Sequence, residues 1–294
     1  MTTRRAASDR LACPTTTLGH AARLGLALLL GAALGCGDGG SAAAPSPEPL
    51  GACYGATLFG RPSANTGLDR DRCTDRCEEC DGGSFAPPPY DGVFLAELRA
   101  WTLLDPPAPL AANPYAAAAP DLEPAVCAVR IEDREARTYR LEVWPSAEEA
   151  AARGAVVTHD GACGLCSDLE SLAVYAGVGD LTQPVRACGI EGILGGEEQN
   201  MACLEAIGFN RACASIWYWN TVNTRAHCQD LCLQLYDAPY HEEGGALNAC
   251  LQCDEDNSGP VFKAVAGRTR RNSGLATALC RPCAEVRPLS HRYE

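Results

Sequence analysis

The feature that most constrains this chain is its 18 cysteines in 294 residues, and in particular the four pairs spaced CxxC: Cys77/Cys80, Cys163/Cys166, Cys250/Cys253 and Cys280/Cys283. Two such pairs brought together can supply the four thiolates of a tetrahedral zinc site. In an oxidising compartment the same residues form disulfides. Covalent haem is excluded, because it needs a histidine directly after the second cysteine and the followers are Asp81, Ser167, Asp254 and Ala284. Choosing between zinc and disulfides therefore requires knowing the compartment.

The N-terminus addresses that question. Arg4, Arg5, Arg10 and Arg23 precede an uncharged run, LGLALLLGAAL, from Leu24 to Leu34. This run is shorter than the roughly 20 residues that span a bilayer, and its basic flank and small-residue end are those of an export signal. Ala33, Leu34, Gly35 and Cys36 resemble the lipobox of bacterial lipoproteins. The resemblance implies loss of residues 1–35, acylation of Cys36 and a membrane as partner through that lipid. With Gly37 in place of Asp, it also implies the outer membrane of the bacterial envelope. Residues 36–52 are small and Pro-rich up to Pro49 and read as a flexible tether.

Export favours disulfides. Setting aside Cys13 in the leader and Cys36 leaves 16 cysteines, an even number. Cys228 and Cys232 are four apart and Cys250 and Cys253 three apart, so each pair shares one face of a helix. Antiparallel helices would align Cys228 with Cys253 and Cys232 with Cys250, although spacing alone does not fix connectivity.

A formal charge of −13, from 24 basic and 37 acidic residues, excludes a general nucleic-acid binder, which needs a cationic surplus against phosphate. At 47% hydrophobic the chain can bury a core. The pattern predicts an α+β fold, with an N-terminal antiparallel sheet followed by a disulfide-stapled, mainly helical C-terminal half. Residues 53–90 read as a loop-rich, cysteine-braced segment and 91–294 as the main domain. Within the latter, VFLAELRAWTLL (Val93–Leu104) is expected as a strand and Val126–Ile131 with Thr138–Trp144 as a hairpin. Ser146 with Glu149 and Ser167 with Glu170 are capping boxes, and a helix over Glu197–Ile207 is expected to stop at Gly208. Arg211–Tyr236 reads as one helix or two.

Three segments have the residue types for chemistry. In THDGACGLCS, from Thr158 to Ser167, a strand runs through a glycine turn into CxxC and a helix, so Cys163 and Cys166 are either a structural bridge or a thiol-disulfide redox pair with His159 beside them. FKAVAGRTRRNSGL, from Phe262 to Leu275, holds Lys263, Arg268, Arg270 and Arg271 without an acid, and Lys263 is the only lysine in the chain. Lys263 suits an anion ligand or a nucleophile, the arginines suit a carboxylate or phosphate, and Asn272 and Ser273 add donors. The competing reading is a basic loop paired with Asp254, Glu255 and Asp256. DEDNSGP, from Asp254, starts like a calcium loop but has Val265 where the bidentate Glu belongs, so it reads as an Asx-rich turn. No Walker loop, GxSxG or HExxH occurs, the histidines have no ligand spacing, and neither metal nor cofactor is expected.

THDGACGLCSDLESLAVY and AGRTRRNSGL together resemble an uncharacterised family of cysteine-rich secreted proteins of bacteria and algae, over about Thr158 to Cys283. The resemblance implies no activity. Two functional classes remain in view. One is an anchored extracytoplasmic binding protein for an anionic molecule or polymer. The other is an enzyme: an oxidoreductase through Cys163/Cys166, or a hydrolase or transferase using Lys263 and His159 on an acidic substrate.

Overall fold

A computed structural model describes residues 51–53, 58–60, 65–67, 73–74, 90–242, 245–282 and 286–293. The leader, the acylation site Cys36, most of the tether and the Cys77/Cys80 pair lie outside the described residues.

The fold is α+β, with most of its helix C-terminal to the main sheet. A small sheet has the order β3-β1-β2-β8, with β1 Gly51–Cys53, β2 Leu58–Gly60, β3 Cys73–Thr74 and β8 Arg281–Pro282. Gly51 and Ala52, expected in the tether, are therefore strand. Because β2 pairs with β8, part of the loop-rich, cysteine-braced segment shares a sheet with the C-terminal region.

The main sheet has the order β4-β6-β5-β7. Its centre is the expected hairpin of β5 (Val126–Asp133) and β6 (Thr138–Trp144), paired antiparallel. Val126 to Val129 are buried on both faces, because Val126 and Ala128 pack with Ala150 and Ala155 on one side and Val129 joins the main core on the other. β7 (Val156–Asp160) flanks β5, and β4 (Thr102–Leu103) joins β6 in parallel.

The expected strand at Val93–Leu104 is mostly helix: α1 spans Gly92–Arg99, and only Thr102 and Leu103 are strand. The Asp91 carboxylate accepts from the Phe94 N–H at 2.9 Å and caps the helix. Phe94, Leu95, Leu98 and Trp101 recur at helical spacing and pack into the core.

Helix α2 (Ala147–Ala152) is capped by Ser146 as expected, its Oγ accepting from Glu149 N at 3.2 Å. Helix α3 (Leu169–Gly177) is capped one residue later than expected. Asp168 accepts from the N–H of Ser171 at 2.7 Å, because the Ser167 hydroxyl is engaged elsewhere. Helix α4 (Thr182–Ile207) breaks at Gly196, whose φ of 77° and ψ of −167° suit glycine alone. The expected helix from Glu197 is its second arm, closed by left-handed Gly208. Cys188 and Cys203 are bridged with Cα atoms 5.4 Å apart, whereas 15 residues of straight helix span about 22 Å. The two arms therefore fold back on each other.

Helix α5 (Arg211–Gln234) is continuous and packs against α4, α6 (Ala249–Asn257) and α7 (Gly259–Ala266). That covering on several sides leaves Trp217, Tyr218 and Trp219 all partly buried. The bridges Cys228–Cys253 and Cys232–Cys250 staple α5 to α6, the pairing suggested by helical spacing. The DEDN expected as a turn lies in the last turns of α6, and a new helix starts at Gly259.

Candidate functional site

Five disulfides join ten of the described cysteines, and Cys280 is also disulfide-bonded. No cysteine whose side chain is described remains as a thiolate for zinc, and no cluster of metal-ligating residues occurs among the described residues. Cys163 and Cys166 are bridged to Cys127 and Cys213 respectively, not to each other. A redox pair needs one cysteine to resolve the mixed disulfide formed by the other. Each of these two is held by a different strand or helix, so the CxxC spacing here marks two structural staples.

The basic segment divides into an internal part and a part that faces a cleft. Between β5 and β7 the register slips: Cys127 pairs with His159 and Ala128 with Val157, which leaves Thr158 as the extra residue of a bulge. Its carbonyl and hydroxyl are taken by Arg268, which is fully buried. Nη1 donates to Thr158 O at 2.9 Å and to Ser273 Oγ at 3.1 Å, and Nη2 to Thr158 Oγ1 at 2.6 Å and Ser167 O at 2.8 Å. Nε donates to Cys166 O at 3.0 Å. Burial lowers the pKa of the guanidinium, an effect opposed by Tyr293 and Asp168.

His159 sits beside this charge, with no exposed surface. Its Nδ1 is 2.9 Å from the Asp160 carbonyl, which can only accept, so Nδ1 carries the proton and Nε2 accepts from the Ser167 hydroxyl at 2.7 Å. Burial, and then Arg268, push its pKa down to about 3. His291 shares the environment: burial and Arg268 push it to about 3 as well, and its Nε2–H donates to Ser273 O at 2.8 Å. The His159–Ser167 pair resembles a catalytic dyad in its geometry, but both groups are closed to solvent, which makes it a polar core cluster.

Asn272 also points inward. Its Nδ2 donates to Asp160 O and Gly267 O, both at 2.7 Å, and its Oδ1 accepts from Thr269 N at 2.7 Å. Of the residues singled out in this segment, Arg268, Asn272 and Ser273 thus hold the segment itself in place.

Lys263, Arg270 and Arg271 reach a cleft of about 350 Å³ between the first arm of α4, α5, α6 and α7. Arg270 donates to the carbonyls of Tyr175, Val178 and Ala276 and lies over the Tyr175 ring. Glu255 receives three cations: Lys263 Nζ at 2.6 Å, Arg271 at 2.8 Å and Arg281 at 2.7 Å. Burial alone would raise the pKa of Glu255, but Arg281, Arg271 and the Lys263 hydrogen bond outweigh it and bring it down to about 2. The adjacent Asp254 is buried and its pKa is raised by desolvation, with Thr224 and Asn220 as hydrogen-bond partners. Pairing with Glu255 belonged to the competing reading of the basic segment, and among the described residues it coexists with further cations in the cleft.

Those further cations include residues that the sequence did not single out. Arg186 on α4 and Arg225 on α5 also line the cleft, making six cations against Asp180, Asp254 and Glu255 among the described residues. Neither arginine forms an ion pair with a described residue, and the buried Nη1 of Arg186 has no hydrogen-bond partner. Trp217, T-shaped against Phe262 at 4.6 Å, forms part of the wall. Arg186 and Arg225 lie 39 positions apart on different helices, with no local cluster to mark either one.

A model of a family of unknown function (DUF8771) matches residues 197–288, about a third of the chain. The match runs from the second arm of α4 through the basic segment and includes Arg225, Glu255, Lys263, Arg271 and Arg281. No curated protein and no solved structure matches the chain.

Proposed function

We propose that the protein is an extracytoplasmic binding protein, anchored to the outer membrane of a bacterial envelope through acylated Cys36, whose cleft takes a small anionic ligand. The observation that carries the binding part is that Arg186 and Arg225, neither in an ion pair with a described residue, line one cleft in a chain that is otherwise acidic; among the described residues six cations and three carboxylates line it. One buried arginine nitrogen there lacks a partner. Glu255 engages Lys263, Arg271 and Arg281 and holds them in place, which leaves Arg186 and Arg225 to meet an incoming carboxylate or phosphate.

The anchor is supported by the lipobox resemblance and by the disulfides, which favour an oxidising compartment. Among the described residues no helix is long and apolar enough to cross a membrane.

Calorimetric titration of the mature protein with inorganic phosphate and citrate tests the site. Binding is expected to weaken at least tenfold in Arg186→Gln and Arg225→Gln and to fall with added salt. Equal affinity in the wild type and both variants would reject it. The anchor is tested separately, since Cys36→Ser should move the protein from the membrane to the soluble fraction.

A further inference from the structure

The cleft is charged inside and apolar at its rim. At its inner end the Arg271 and Arg281 side chains are only 12% and 13% exposed. At the rim, Ile193 is 56% and Leu233 65% exposed, with Ile190 and Tyr236 also open to solvent. All four line the same cleft. Ile190 and Ile193 are three apart on the first arm of α4 and present one helical face, while Leu233 lies in the last turn of α5 and Tyr236 in the turn that follows it. A wholly polar ligand would be bound by the inner cations and gain nothing from these side chains. Their exposure in water is unfavourable, and a hydrocarbon chain laid across them would relieve it.

Charge and shape together restrict the occupant. Its head must be an anion small enough to reach Arg186 and the Glu255 cluster, and its tail must be apolar. The cleft, about 350 Å³, lies at the small end of the range for small-molecule sites, which favours one chain over two. We infer that the ligand is a single-chain anionic amphiphile, an alkyl carboxylate or phosphate whose head enters the cationic interior and whose chain packs on Ile190, Ile193, Leu233 and Tyr236. This inference rests on the anion-binding reading above and adds the class of the ligand.

The test is a chain-length series on the purified mature protein, using hexanoate, octanoate, decanoate and dodecanoate below their micellar concentrations. Trp217 in the cleft wall provides a fluorescence readout, and decyl glucoside serves as an uncharged control. The Kd is expected to fall at least tenfold from hexanoate to decanoate, since each methylene that leaves water adds to affinity. Leu233→Asn and Ile193→Asn, uncharged replacements at exposed positions, should flatten this dependence. Affinity that does not depend on chain length while phosphate still binds would overturn the amphiphile and leave the anion site standing. Decyl glucoside binding as tightly as decanoate, or no binding by any anion, would overturn both. A concentration-dependent dimer that Leu233→Asn abolishes, with no chain-length effect, would show that a second copy covers the rim and would also overturn the inference.

Discussion

Gly164 and Gly267 lie back to back: a Cβ on Gly164 would fall 2.6 Å from the Gly267 nitrogen, and a Cβ on Gly267 would fall 2.6 Å from the Gly164 nitrogen. Gly267 ends α7 with a φ of 73°, and around this contact Leu165 and Cys166 donate to the carbonyls of Val265 and Ala266 at 3.0 and 2.9 Å. The close approach joins the CxxC turn to the basic segment and turns Arg268 into the core instead of toward solvent.

Replacing Gly267 with Ala is therefore expected to destabilise the protein by about 2–4 kcal/mol, through the positive φ and the backbone clash together. Urea denaturation measures it. A loss below ~1 kcal/mol would mean that the two turns separate easily.

Arg268→Met should cost about 3–5 kcal/mol, since it leaves the carbonyls of Thr158, Cys166 and Ser167 without their donor in a buried setting. Arg268→Lys should recover only part of this, because an ammonium cannot reproduce the fork that spans five acceptors. In contrast, Arg186→Gln should leave stability within about 1 kcal/mol and alter ligand affinity alone. Equal stability loss in Arg268→Met and Arg186→Gln would contradict the division between core and cleft arginines.

Acid should unfold the protein earlier than its carboxylates alone would cause. His159 and His291 are held near pKa 3 in the folded state against an ordinary value of 6.5. Between these values the unfolded chain binds two more protons than the folded one, so stability is full above pH 6.5 and falls as pH drops toward 3. The limiting slope for two such groups is ~2.7 kcal/mol per pH unit. Glu255, lowered to about 2 from 4.5, adds a further loss in the same direction below pH 4.5. Chemical denaturation at pH 7, 5.5 and 4.5 reads this directly. His291→Gln should lower the slope between pH 6 and 4.5 by about half, and an unchanged slope would show that the buried histidines do not control it.

The bridge Cys127–Cys163 closes a separation of 36 residues, and removing it through the double variant Cys127→Ala with Cys163→Ala should cost about 4 kcal/mol by loop-closure entropy. The protein denatured without reductant should show almost no thiol reactivity. Stoichiometric zinc with free thiols, or a Cys163–Cys166 bridge by peptide mapping, would contradict the assigned pairing.

What the sequence determined by itself was short in range. The β5/β6 hairpin, the cap of α2 by Ser146 and the stop at Gly208 all come from periodicity and capping within about a turn of chain. The Cys228–Cys253 and Cys232–Cys250 staples were legible because two helical spacings match across one hairpin. The same kind of reading failed at Val93–Leu104, where a dense apolar run hid a helical period that Asp91 caps. It also failed at Ser167, whose hydroxyl caps nothing because the CxxC turn brings the Gly164 N–H and His159 to it. Only the tertiary structure decided the fate of the basic segment. One bulge at Thr158 exposes a carbonyl to Arg268, one carboxylate on α6 gathers Lys263, Arg271 and Arg281, and Arg186 and Arg225 arrive from separate helices. Charge within a segment is a local property, but whether that charge is neutralised depends on partners tens of residues away. No pattern in the chain records those contacts before it folds.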